Sequence, residues 1–148
     1  MSAPAASHCT CFLLRRTARQ VSQFYDRELA PLGLSLNQYS ILKRASRAPR
    51  VLGEFADELG MDRTTLTRNL RPLYEAGWLR ERRAEDDGRK RVIEITPAGR
   101  ARVDAALPHW RRAQKRVETL YGRAGIERLH GDLDALRARL AALAEREA

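Results

Sequence analysis

Residues 52–77 read LGEFADELGMDRTTLTRNLRPLYEAG, and the spacing of their apolar side chains decides the fold. Leu52, Phe55, Ala56 and Leu59 mark one face of a short helix that Gly60 stops. Asp62 is an N-cap for a second helix, with Leu66, Leu70 and Leu73 facing inward and Gly77 ending it. Two short helices joined by a tight turn containing Gly form a helix-turn-helix. Pro72 breaks a local rule, because it forfeits the bond to the Arg68 carbonyl at a cost of about 3 kcal/mol in an ordinary helix interior. The expectation is a bend or a distorted last turn, with Arg63 to Arg68 unaffected.

Burying the leucine stripe turns Thr64, Thr65, Thr67, Arg68 and Arg71 outward and leaves Arg63 in the first turn. Short hydroxyls allow close approach to DNA, and the planar guanidinium fork matches guanine O6 and N7. The free amides of the helix start favour a phosphate. The alternative is a solvated basic helix, which the neighbouring helix-turn-helix pattern disfavours.

Downstream the period changes. Residues 78–83 and the β-rich Arg91-Val92-Ile93-Glu94-Ile95 flank a polar loop, Ala84 to Lys90, with an Asp-Gly turn signal. The reading is a β-hairpin whose tip carries Arg83, Arg89, Lys90 and Arg91, a basic element suited to a minor groove or a row of phosphates. Asp87 either orients an Arg side chain or builds the turn with Gly88, and the two roles are compatible.

Upstream, Cys11, Leu14, Ala18, Val21 and Tyr25 predict a helix running to about Leu29, broken at Ala30-Pro31-Leu32-Gly33-Leu34. Ser35 caps the next helix, which ends before Ala48-Pro49-Arg50. Thr96-Pro97 opens a long helix carrying Val103, Leu107, Trp110, Val117 and Leu120, with a kink expected at Pro108. After a turn at Gly122 to Gly125, Ile126, Leu129, Leu133, Leu136, Leu140 and Leu143 recur at four-three spacing. That period favours packing against other helices, and a second subunit would cover it. The predicted fold is mainly α with a small β-hairpin wing: a winged helix-turn-helix with a helical dimerisation region. Residues 1–34 supply a dimerisation helix, 35–98 a DNA-binding lobe and 99–148 the C-terminal dimerisation helices.

Composition agrees with that outline. Among 148 residues, Lys and Arg outnumber Asp and Glu 28 to 19, a formal charge of +9 that attracts polyanions. No run approaches the roughly 20 apolar residues that span a bilayer, and residues 1–8 lack a signal-peptide pattern. Two closely spaced cysteines point to a reduced, cytoplasmic setting. No phosphate loop, nucleophile elbow or His–carboxylate cluster suggests an enzyme, and no cofactor is implied. The competing class is a basic module that coats nucleic acid without sequence choice, or one that docks protein.

The ordered series Gly53 to Arg68, Leu73-Tyr74-Glu75-Ala76-Gly77-Trp78-Leu79, Asp87-Gly88-Arg89 and Ile95-Thr96-Pro97-Ala98-Gly99 resembles the MarR family of bacterial regulators over nearly the whole chain. The resemblance implies a homodimer with intertwined first and last helices and recognition helices in successive major grooves. It also implies wings in the flanking minor grooves and a palindromic operator, usually bound as a repressor. Ile95 stands where the family usually has Leu, and Pro72 and Pro108 are less typical.

Three kinds of signal are open. Cys11-Phe12-Leu13-Leu14 with Tyr25 is similar to the organic-hydroperoxide-sensing branch. There Cys11 would be the reactive thiol and Tyr25 a supporting tyrosine, with Arg15 in place of a second tyrosine. A cation one turn away and the helix start would favour a thiolate, and Cys9 would resolve a sulfenic acid. Alternatively Arg15, Arg16, Tyr39 and Trp110 or His109 would hold an aromatic or carboxylate effector. His8, Cys9 and Cys11 together suit zinc or copper only with further ligands. Each has a plainer reading: buried thiol, core aromatics, surface arginines.

Overall fold

The computed structural model describes residues 9–148. Cys9 precedes α1 (Thr10–Leu29), which runs into a 3-10 turn, Ala30–Leu32. Pro31 suits that turn, and Gly33 closes it at φ 67°, the left-handed region that glycine enters without a Cβ penalty. The Asp26 carboxylate then accepts the Leu36 amide at 2.6 Å, tying α1 to α2 (Leu36–Ala45). Ser35 and Gln38 cap α2 reciprocally, at 3.1 and 3.0 Å.

Arg50–Val51 forms β1, followed by α3 (Leu52–Leu59) and α4 (Arg63–Glu75). The wing strands are β2 (Leu79–Arg83) and β3 (Arg91–Ile95). The sheet is antiparallel with order β1-β3-β2 and pairs Leu79 with Ile95, Arg83 with Arg91, and Arg50 with Ile93. The sequence reading has the hairpin but not β1. Two residues carry no alternating pattern, and the strand exists only because β3 offers it an edge. Helix α4 continues through Pro72, and α5 (Pro97–Tyr121) through Pro108. The expected turn at Gly122 to Gly125 contracts to Gly122 alone, at φ 81°, before α6 (Arg123–Glu147).

The chain divides into two compact units, one ending at Trp110 and the other beginning at Arg111. The core of the first joins Leu29, Ile41 and Leu42 to Phe55, Leu66, Leu70, Leu73 and Ile93, all at most 1% exposed. Each such side chain contributes about 1.5–3 kcal/mol on burial. The α4 leucine stripe is therefore seated as its spacing predicts, and its other face is solvent-exposed. In the second unit the Tyr121 ring packs on Gly125, where an added Cβ would come within 2.9 Å.

The root of the wing is joined to α5 by Thr96. Its hydroxyl donates to the Gly77 carbonyl at 2.6 Å and accepts the Gly99 amide at 3.1 Å, while its own amide donates to the Trp78 carbonyl at 3.0 Å. Gly99 lies against that same carbonyl.

Candidate nucleic-acid interface

The start of α4 is built by Asp62. Its carboxylate accepts the Thr65 amide at 2.8 Å and the Thr65 hydroxyl at 2.7 Å. These bonds, the hydroxyl's first, hold the Asp62 carboxyl below its usual pKa. Thr65 thus departs from the outward set: it is half-buried and its hydroxyl is committed to the cap. Arg63, Thr64, Thr67, Arg68 and Arg71 are exposed. Arg71 pairs with Glu75 one turn on, at 2.9 Å. Arg68 has no hydrogen bond or ion pair among the described residues, so its fork projects beside two threonines.

The wing sorts its arginines. Glu94 takes both Arg80 and Arg82, at 3.0 and 2.6 Å, and these partners hold its carboxyl below the ordinary 4.5, the Arg82 bond foremost. Glu81 takes Arg91 at 2.7 Å and accepts the Tyr74 hydroxyl at 3.2 Å. Burial first, then the Glu81 charge, pushes the Tyr74 phenol far above its usual range. Arg91 therefore braces the strands.

At the tip, Asp87 accepts the Arg89 backbone amide at 3.0 Å, and Arg83 donates to the Gly88 carbonyl at 2.7 Å. Of the two roles open for Asp87, the structure contains the turn. It contains no pairing of Asp87 with an Arg side chain among the described residues. The Arg89 and Lys90 side chains are exposed and lack partners there. The clamps on Glu94 and Glu81 escape a reading by spacing, since they depend on strand register.

Of the proposed sensing residues, Cys9 and Cys11 are exposed free thiols at the start of α1, and Arg15 is exposed on the same helix. Tyr25 is buried and meets Phe24 edge-on. Arg16 lies over the Phe12 ring, 5.8 Å from its centroid. Tyr39, buried, stacks on Trp110 with centroids 6.4 Å apart. These two line a cleft of about 290 Å³ with Ser40, Leu107, Lys43, Arg44 and Arg47. The cations beside the aromatic pair are thus Lys43, Arg44 and Arg47 rather than the expected Arg15 and Arg16. A basic run at positions 43, 44 and 47, in α2 and just beyond it, was the signal for them. His109 donates from Nδ1 to the Glu28 carbonyl oxygen, 2.9 Å away, a structural tie. His8 lies outside the described residues, among which no three His, Cys, Asp or Glu side chains converge as metal ligands.

Leu129, Leu133, Leu136, Leu140 and Leu143 on α6 are 36–56% exposed, and Phe12, Leu13, Leu14 and Val21 on α1 39–49%. Apolar stripes of that length are unusual on a monomer surface.

With this geometry in place, three comparisons bear on the chain. The profile of the transcriptional regulator family SarA/Rot matches residues 23–106. A crystal structure of the Mycobacterium tuberculosis transcriptional regulator MosR in complex with DNA is 38% identical. It covers 90% of this chain and 97% of that one, with a TM-score of 0.82. A mutant of E. coli MarR complexed with operator DNA, 19% identical, shares the fold at a TM-score of 0.77 over 84% of this chain and 90% of that one. An organic hydroperoxide resistance transcriptional regulator of Bacillus subtilis is 28% identical over 90 residues, 60% of this chain and 61% of that one. The chain spans about three fifths of the length of the curated relatives it matches. No helix among the described residues is long and apolar enough to cross a membrane.

Proposed function

This chain belongs to the SarA/Rot family of transcriptional regulators and has the MarR fold, and from that premise we propose that it is a cytoplasmic repressor binding a palindromic operator as a homodimer. The observation that carries the proposal is α4 itself. Its inner face, Leu66, Leu70 and Leu73, is fully buried, and its outer face presents unpaired Arg68 together with Thr64 and Thr67. Such a helix is rigidly held yet free to read base edges. Arg89 and Lys90 at the wing tip supply phosphate or minor-groove contacts. Residues 35–98 are the DNA-binding lobe. Residues 1–34 and 99–148 form the dimerisation region, with Leu129, Leu133, Leu136 and Leu140 at its seam, where a second copy covers the exposed stripes.

The test uses promoter fragments from the neighbourhood of the chain's own gene. Arg68→Ala weakens binding to the operator at least tenfold more than binding to random DNA, about one bidentate base contact. Arg89→Ala weakens both and flattens the salt dependence. Equal loss on both DNAs for Arg68→Ala contradicts base reading.

Two signals for release are supported by separate observations. The exposed thiols of Cys9 and Cys11 support oxidation, and so does the similarity to a hydroperoxide-resistance regulator. Cys9 occupies the N-cap position of α1, without a side-chain capping bond, and Cys11 sits in its first turn, so a bond between them would unwind that turn. The Tyr39–Trp110 stack, edged by Lys43, Arg44 and Arg47, supports an aromatic carboxylate effector.

A further inference from the structure

Arg63 does not stand away from α4 as Arg68 does. Its guanidinium packs on Gly53, in the first turn of α3. A Cβ at Gly53 would lie 2.6 Å from Nη2, 3.2 Å from Cζ and 3.3 Å from Nε. The arginine thereby lines a cleft of about 350 Å³ between the helix-turn-helix and the wing. One side is formed by Val51 to Glu54 and Asp57, the other by Arg89 to Arg91. Arg91 is committed to Glu81, whereas Arg63, Arg89 and Lys90 have no side-chain partner among the described residues.

We propose that this cleft seats the sugar–phosphate backbone of one DNA strand, that Arg63 contacts a phosphate rather than a base, and that Gly53 is the positioning residue that lets it do so. The inference rests on the DNA-binding reading above. Neighbouring grooves of a duplex are divided by a backbone strand. A protein that puts α4 in one groove and its wing in the next must straddle that strand. The cations stand where such a strand would pass, Arg63 on one wall and Arg89 with Lys90 on the other. Phosphate contacts of this kind fix register and carry no sequence information. Glu54 and Asp57 share the cleft. Their charge opposes a phosphate there, so the site stays weak toward isolated anions and responds to a polyanion.

Gly53 does not need a glycine backbone: its φ is not positive. Alanine is also the better helix former. Gly53→Ala therefore keeps the fold and displaces only the guanidinium. The probes are a duplex selected by the wild-type chain from a random-sequence pool and a scrambled duplex of equal length and composition. Arg63→Ala and Gly53→Ala should each weaken both duplexes by a similar factor, about tenfold for one charge-assisted hydrogen bond. Each should lower the salt slope by about one per bound chain. The double variant should bind no worse than Arg63→Ala alone. Melting temperatures of the single variants should match or exceed the wild type. The proposal is overturned if Gly53→Ala binds as the wild type does, or if its effect persists without Arg63. It is equally overturned if Arg63→Ala shifts the sequence selected from the pool, which would make Arg63 a base reader. Failure of the wild-type chain to enrich any sequence or bind either duplex would instead remove the DNA-binding reading, and this proposal with it.

Discussion

Replacing Gly99 by alanine tests whether α5 and the wing root are as closely joined as the structure has them. The new Cβ would clash with the Trp78 carbonyl oxygen and come within 2.8 Å of Ile95 Cγ1 and 3.0 Å of the Trp78 carbonyl carbon. The obstacle is backbone, held by the Thr96 amide at 3.0 Å, so no rotamer change relieves it. Helix α5 must retreat, loosening the Thr96 hydroxyl bonds to Gly77 and Gly99. Overpacking costs about 1–3 kcal/mol. The two weakened hydrogen bonds cost about 1 kcal/mol each. Alanine's better helix propensity returns about 1 kcal/mol. The net loss is about 2–4 kcal/mol, a drop in Tm of roughly 5–15 °C for a chain of this size. Thermal unfolding followed by far-ultraviolet circular dichroism measures it. A Gly99→Ala protein melting at or above the wild-type temperature would refute the close approach and the role given to Thr96.

Three further outcomes are expected. Asp62 and Glu94 both have lowered pKa values, so the stability they supply is present above about pH 4.5 and lost as the pH falls through their folded values. Between about pH 5 and pH 3, Asp62→Ala should lose less Tm than the wild type does, and an identical pH profile would count against the cap. Leu136→Asp should put a charge into the proposed helical seam and shift the chain from dimer to monomer in sedimentation, at protein concentrations where the wild type is dimeric. Unchanged mass would move the interface elsewhere. Hydroperoxide treatment should release wild-type protein from its operator and leave Cys11→Ser bound; a like response in both removes Cys11 as the switch.

What the sequence makes legible is local. Ser35 and Asp62 stand immediately before apolar stripes, and each caps its helix by a bond three residues on. Leu66, Leu70 and Leu73 are read from spacing because one helix face must be buried whichever partner buries it. Strand β1 is too short for a pattern. Other features depend on long-range register or on a single side-chain rotamer. The Glu94 clamp follows from pairing Arg80 with Glu94 across the hairpin, and the cationic edge of the Tyr39–Trp110 cleft follows from the crossing of α2 and α5. The seat of Arg63 on Gly53 was hidden because spacing places Arg63 only in the first turn of α4. Only the missing Cβ on a different helix turns it aside.

The division of the wing's arginines has a consequence for how the protein meets its target. Glu94 and Glu81 anchor Arg80, Arg82 and Arg91 along the strands, while Arg89 and Lys90 stay unpaired at the end, next to Glu85, Asp86 and Asp87. The loop from Glu85 to Lys90 thus carries three acidic and two basic side chains, and its tip is not a cationic pole. Long-range attraction to a polyanion therefore comes from the excess charge of the whole chain, and the two unpaired tip cations act only at close range, once the hairpin has arrived.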